Sequence, residues 1–195
     1  VDLDDTSWNP DLPAEPSGGA WFQVHVASNG DVFAFSESGI FTLNTAGTGW
    51  TLEQASSTSN WPAGEPWETL EHNGIIYSSI LGGGVARWDI SSMSPLSTWS
   101  TANNLHSDYI SDFLVAGNQL LISSFDAGIA RRDTSSNFWL ATWNNGNWLT
   151  SNNIKGTTFV NNEVQILTET SLQSYDMATG VFAANTALDS IGISS

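Results

Sequence analysis

The chain has 195 residues, enough to bury a full core, and 40% are hydrophobic, ten of them Trp, with 12% charged, a composition too apolar and aromatic for disorder. Four Lys and Arg stand against 20 Asp and Glu, a formal net charge of −16, so nucleic acid and anionic membrane surfaces would find almost no basic groups to bind. There is no Cys, which excludes disulfides and thiolate metal sites, and no apolar run approaches the roughly 20 residues of a membrane span.

Residues 1–20 are acidic and contain three Pro. Asp5-Thr6-Ser7-Trp8 matches Ser97-Thr98-Trp99 further along, which predicts that 1–20 carries the outer strand of a preceding repeat. A start at Val1 is expected of a processed or excised segment.

From residue 21 one pattern is written four times. A short apolar run (21–26, 67–72, 110–115, 154–160) is followed by a polar pair suited to a tight hairpin: Asn29-Gly30, Asn73-Gly74, Gly117-Asn118 and Asn161-Asn162. A second run follows at 31–35, 75–80, 119–124 and 163–168. A third opens at Ile40, Val85, Ile129 and Leu172, which succeed one another at 45, 44 and 43 residues. An aromatic run at 49–52, 95–99, 138–143 and 180–184 closes each unit. The runs are four to seven residues long, rich in Val, Ile, Phe, Trp and Thr, and no stretch sustains the i, i+3, i+4, i+7 spacing of a helix. Four strands per unit at a period near 44 predict an all-β fold, a β-propeller of four-stranded blades. The blades are expected at about 21–52, 67–100, 110–143 and 154–184.

The connections carry a second signature, L-x-S-x-x-I, at Leu105–Ile110, Leu149–Ile154 and Leu188–Ile193. The third copy predicts the start of a further blade at 188–195. Further blades or self-association would then complete the ring, because an unclosed array exposes apolar faces and strand edges.

Leu105–Ile110 with Asn118–Asp133, and Glu163–Phe182 with its Tyr175-Asp176-Met177-Ala178-Thr179-Gly180 ending, resemble the two-component regulator propeller repeat. The resemblance spans most of 21–193, although the aromatic-Ile-Gly-Thr ending usual in that repeat is absent. It implies an extracytoplasmic (secreted, periplasmic or cell-surface) sensor or binding module whose ligand is a small molecule, a glycan or a protein.

Propeller sites gather where the loops between second and third strands meet the blade connections. Glu37, Asp126 and Glu169 occupy matching loop positions; Glu53, Glu65, Asp108 and Asp189 fall on the expected connections. Such carboxylates suit Ca²⁺, though no D-x-D-x-D-G loop is present and solvated carboxylates are the simpler account; no other cofactor is expected. His25, His72 and His106 lie in different units, which argues against zinc; His106, in a connection, reads as a surface histidine and a ligand-binding candidate. Trp50, Trp88, Trp99 and Trp143 are expected between sheets, whereas Trp8, Trp61 and Trp148 fall nearer loops and could stack on sugars. Arg87 and Arg131 match across units and are expected to bond neighbouring blades.

The candidate binding set is therefore Asp126, Glu169, Glu37, His106, Asp108 and Trp148. No G-x-S-x-G elbow occurs and no Ser/His/Asp order can be defended, so no catalytic residue is assigned. The leading expectation is a non-catalytic binding or interaction propeller. The alternatives are a polysaccharide-acting glycosidase or lyase using carboxylates at the channel mouth, and a structural adhesion array.

Overall fold

Four runs in each unit become four strands because their β-branched and aromatic side chains pack on both faces and their polar pairs turn tightly. The computed structural model describes residues 21–44, 46–47, 49–58, 60–183 and 186–187; the expected strand within 1–20 and the expected start at 188–195 lie outside these. The first unit comprises β1 (Trp21–Val26), β2 (Val32–Ser36), β3 (Gly39–Leu43) and β4 (Trp50–Ala55). The second comprises β5 (Pro66–His72), β6 (Ile75–Ile80), β7 (Gly84–Asp89) and β8 (Ser94–Trp99). The third holds β9 (Ile110–Ala116), β10 (Gln119–Ser124), β11 (Ile129–Asp133) and β12 (Trp139–Trp143). The fourth holds β13 (Ile154–Val160), β14 (Glu163–Thr168), β15 (Ser171–Asp176), β16 (Val181–Phe182) and β17 (Thr186–Ala187).

Each unit is an antiparallel meander in simple order, and the first strands β1, β5, β9 and β13 lie side by side in that sequence. The expected run 180–184 differs in detail. Its strand is split, β16 pairing with the end of β15 and β17 with its start. The break falls where the fourth strands of the other units carry a register shift, so the same bend is made there by a bulge.

Local chemistry explains the repeat. Asn73-Gly74 and Asn161-Asn162 have positive φ at both positions, as a two-residue hairpin demands. Asp89, Asp133 and Asp176 end their third strands, and each carboxylate accepts two backbone N–H groups of the following turn, from Ser91 and Ser92, Ser135 and Ser136, and Ala178 and Thr179. The Ser91 hydroxyl bond to Asp89, and the backbone bonds from Ser136 to Asp133 and from Ala178 to Asp176, are the main influences holding all three carboxyls below their ordinary range. Gly84 and Gly128 have positive φ, and a Cβ on either would strike the backbone carbonyl of Trp99 or Trp143, so only glycine lets the fourth strand close in.

The core is three layers between four units. Phe33, Phe35 and Ile40 meet Ile76, Ile80 and Trp88 in the first; Tyr77, Val85 and Trp99 meet Ile110, Phe113, Leu120 and Ile122 in the second. Leu121, Ile129 and Trp143 meet Ile154, Val164 and Ile166 in the third. Each such apolar side chain contributes about 1.5–3 kcal/mol by leaving water. Trp61 corrects an expectation. It is 1% exposed, stacked on Phe35 and edge-on to Trp88, so it plugs the first layer and has no free face for a sugar.

Candidate ligand-binding face

At the end where the loops between second and third strands meet the connections, the serine of L-x-S organises both. Ser107 Oγ donates to Asp126 at 2.5 Å and accepts the Tyr109 N–H; Ser151 Oγ donates to Glu169 at 3.1 Å and accepts the Asn153 N–H. Asp108 accepts the backbone N–H and hydroxyl of Thr101, just as the Asn152 side chain accepts the Asn145 N–H. Asp126, Glu169 and Asp108 thus occupy copied clasps that tie each connection down, although Asp126 and Glu169 keep exposed surface. Glu37 is exposed on the first unit's loop. Glu53 lies within β4, not on a connection, and accepts the Thr42 hydroxyl. Asp189 and Trp8 lie outside the described residues. Among the described residues, no three His, Asp or Glu side chains converge to hold a metal ion.

His106 is not the surface histidine expected. Both ring nitrogens are shut off from solvent and neither makes a hydrogen bond of good geometry. Burial is the main influence and pushes the imidazole below its ordinary range, with the Gly128 backbone and the Asp126 charge offsetting only part. The matching Thr150 is satisfied by Ser171 and Gln173, whereas the third unit has Gly128 and Ala130 at those places. Trp148 is 47% exposed and stacked flat on Phe182, so one ring face is taken by packing.

The repeat arginines also differ from expectation. Arg87 donates to the Ser97 carbonyl and Arg131 to the Ala141 carbonyl, each on the last strand of its own unit, and each guanidinium lies over the Trp that closes it, Trp99 or Trp143.

A cluster that the sequence reading missed stands between the second and third units at this same end. Trp67 is 54% exposed and meets Phe125 edge-on at 6.4 Å; Lys155 Nζ lies 5.9 Å from the centroid of the Phe125 ring. Tyr109, 50% exposed, is held beside Phe125 by the Phe125 N–H to Tyr109 carbonyl bond and lies near Gly82. Trp67 emerges here because it sits in a register shift of β5, between Pro66 and Thr69. The next residue, Glu68, and its counterpart Asp112 on β9 are neighbouring carboxylates. Burial raises both above the ordinary carboxyl range, and the Asp112 charge raises Glu68 further.

The solved structures similar to this chain include the extracellular domain of a proposed one-component system, BT4673, from B. thetaiotaomicron. It has a TM-score of 0.69 at 9% identity, over 86% of this chain and 24% of that one. The extracellular domain of a proposed hybrid two-component system of the same organism, BT3049, gives a TM-score of 0.68 at 14% identity, over 86% and 24%. BamB from Moraxella catarrhalis gives 0.62 at 14% identity, over 88% and 51%. The fold is a β-propeller. At these identities the likeness is one of fold, and the chain spans about a quarter of the length of the first two. No family model matches the propeller's sequence, and no curated protein matches it. Among its described residues, no helix is long and apolar enough to cross a membrane.

Proposed function

We propose that this chain is a binding propeller of the extracytoplasmic sensing kind, and that it takes a glycan on the aromatic face formed by Trp67, Tyr109 and Phe125. The observation that carries the reading is the half-exposure of Trp67, edge-on to Phe125, and of Tyr109, whose carbonyl accepts the Phe125 N–H, at the end where the connections converge. An indole or phenol with one face in water presents a flat apolar platform and a polar edge, which suits the apolar face of a sugar ring. The extracellular domains of one-component and two-component systems that share the fold support the placement outside the cytoplasm. The test is a glycan array followed by calorimetry on the hits. Trp67→Ala is expected to weaken binding at least tenfold while Trp67→Phe keeps most of it; equal affinity in the Ala variant would sink the reading.

One observation favours a second reading, a polysaccharide-acting enzyme: Glu68 and Asp112 adjoin the platform and both resist ionisation. Polymer turnover that disappears in Glu68→Gln and Asp112→Asn would establish it in place of simple binding.

A further inference from the structure

The chain has four Lys and Arg, and three of the four are accounted for by contacts already described: Arg87 and Arg131 by carbonyls, Lys155 by the platform. Arg132 is different. Its guanidinium lies 4.8 Å from the Trp99 ring and 5.1 Å from the Trp139 ring, and among the described residues it has neither a hydrogen bond nor a carboxylate partner. None of the four cations pairs with a carboxylate among the described residues, but of the three arginines Arg132 is the one that also has no hydrogen-bond acceptor there. Its place in the repeat is also irregular. Arg132 pairs with Leu120 across the sheet, where the second unit pairs Trp88 with Ile76 and the fourth pairs Tyr175 with Val164. A charged side chain stands at a position that holds an aromatic one in the second and fourth units and Leu43 in the first.

Arg132 lines a cleft of about 160 Å³ at the opposite end of the blades from the aromatic platform, together with His72, Asn73, Ile75, Tyr77 and Leu120. The nearby carboxylates Asp89 and Asp133 are both occupied by their own turns. Burial holds the Tyr77 phenol above its usual range, so the hydroxyl stays protonated as a donor.

We propose that this cleft is a binding site for a small carboxylate with an apolar body. Trp99 and Trp139 meet edge-on, and the guanidinium lies against both rings, contacts that give its N–H groups no hydrogen-bond acceptor. The N–H groups at its edge remain for a ligand, in the fork geometry that matches a carboxylate in two parallel bonds. Ile75 and Leu120 supply apolar wall for the rest of the molecule, and the Asn73 amide, exposed and 3.0 Å from His72 Nε2, offers a further polar contact at the rim. The volume fits one small ring, well below the roughly 300–1,000 Å³ of drug-sized sites. The site is independent of the glycan platform, so either can fail without the other.

The test uses benzoate, with benzamide as the neutral isostere and inorganic phosphate as a competing oxyanion. Binding is followed through Trp fluorescence, which Trp99 and Trp139 should report directly, and by calorimetry on the whole chain. Benzoate is expected to bind, benzamide to bind at least tenfold more weakly, and Arg132→Met, which keeps a long side chain against the two indoles, to lose benzoate binding at least tenfold. Arg132→Lys should recover only part, because an ammonium lacks the fork. Equal benzoate binding by Arg132→Met, no binding of benzoate by the natural chain, or tighter binding of phosphate than of benzoate would each overturn the assignment. Arg87→Met, which removes a repeat arginine on the same Trp99 ring, serves as the control that should retain benzoate binding.

Discussion

The junction between the second and third blades is built differently from the two beside it. Between the first and second, Gln23 and His25 reach Thr69, His25 also reaches Glu71, and the Ser28 N–H and hydroxyl bond Glu71. Between the third and fourth, Asp112 accepts both the backbone N–H and the hydroxyl of Thr157. In the middle, Phe113 stands where Thr69 and Thr157 carry the hydroxyls that make such bonds, leaving Glu68 beside Asp112. Contact there is aromatic instead: Tyr77 with Trp99 and Phe113, Trp99 with Trp139, and Trp67 with Phe125. The glycan platform and the Arg132 cleft lie at the two ends of this junction. Aromatic contacts fill the flanking layers too, Trp61 with Phe35 and Trp88 in one and Trp143 with Tyr175 in the other, so what sets the middle layer apart is the missing clasp. On the reading proposed above, this junction is where regular clasps give way to binding surface.

The sharpest way to break the comparison is Trp99→Ala. This ring carries Tyr77, Trp139, Arg87 and Arg132 at once, and its loss is expected to cost about 3–5 kcal/mol in chemical denaturation. The middle junction should open first, which hydrogen exchange of β7 and β11 would show as protection lost there before β14.

The clasped and unclasped sides can next be contrasted with one pair of variants. Asp112→Ala leaves the Thr157 donors without their acceptor and is expected to lower stability by about 1–3 kcal/mol. Glu68→Gln should act the other way. A carboxyl whose folded pKa is raised penalises the fold when ionised, and the penalty fades as pH falls through that raised value. The Gln variant should therefore gain stability at pH 7 and lose its advantage near pH 4, measured as denaturation midpoints at both.

How much of this was legible beforehand depends on the residue. The strands and their order were, because alternating apolar runs, N-G pairs and a period near 44 are all local signals. The carboxylates of the candidate set could also be located, yet their clasps to Ser107 and Ser151 could not, since a serine two or three residues from a strand carries no sign of its partner 18 or 19 residues on. Trp61 was misplaced because Trp-Pro-Ala-Gly-Glu-Pro reads as loop, and insertion of a connection into a core layer is a tertiary event. Arg132 is hard to tell from Arg131 in the sequence, although a signal is there. Successive strand residues face opposite ways, so Arg131 lies over Trp143 on one side and Arg132 over Trp99 on the other. Reading that column against Trp88 and Tyr175 would have isolated it.

The smallest expected effect is a pH slope. His106 is held neutral by burial, so the unfolded chain, with an imidazole near 6.5, takes up the proton more readily than the folded one. Stability should fall as pH drops from about 7.5 through about 6.5 and level off below the folded value. His106→Gln should flatten that part of the pH profile in thermal melts; an unchanged slope would show that His106 does not set it.

All four Lys and Arg of this chain rest against aromatic rings, and the single ion pair among the described residues is the His25–Glu71 contact. Cations held by π-faces have little to lose when the solution becomes more conducting, while mutual repulsion within a net charge of −16 has much to lose. Added salt should thus tighten this protein, and brine is a medium to which its charge arrangement is suited.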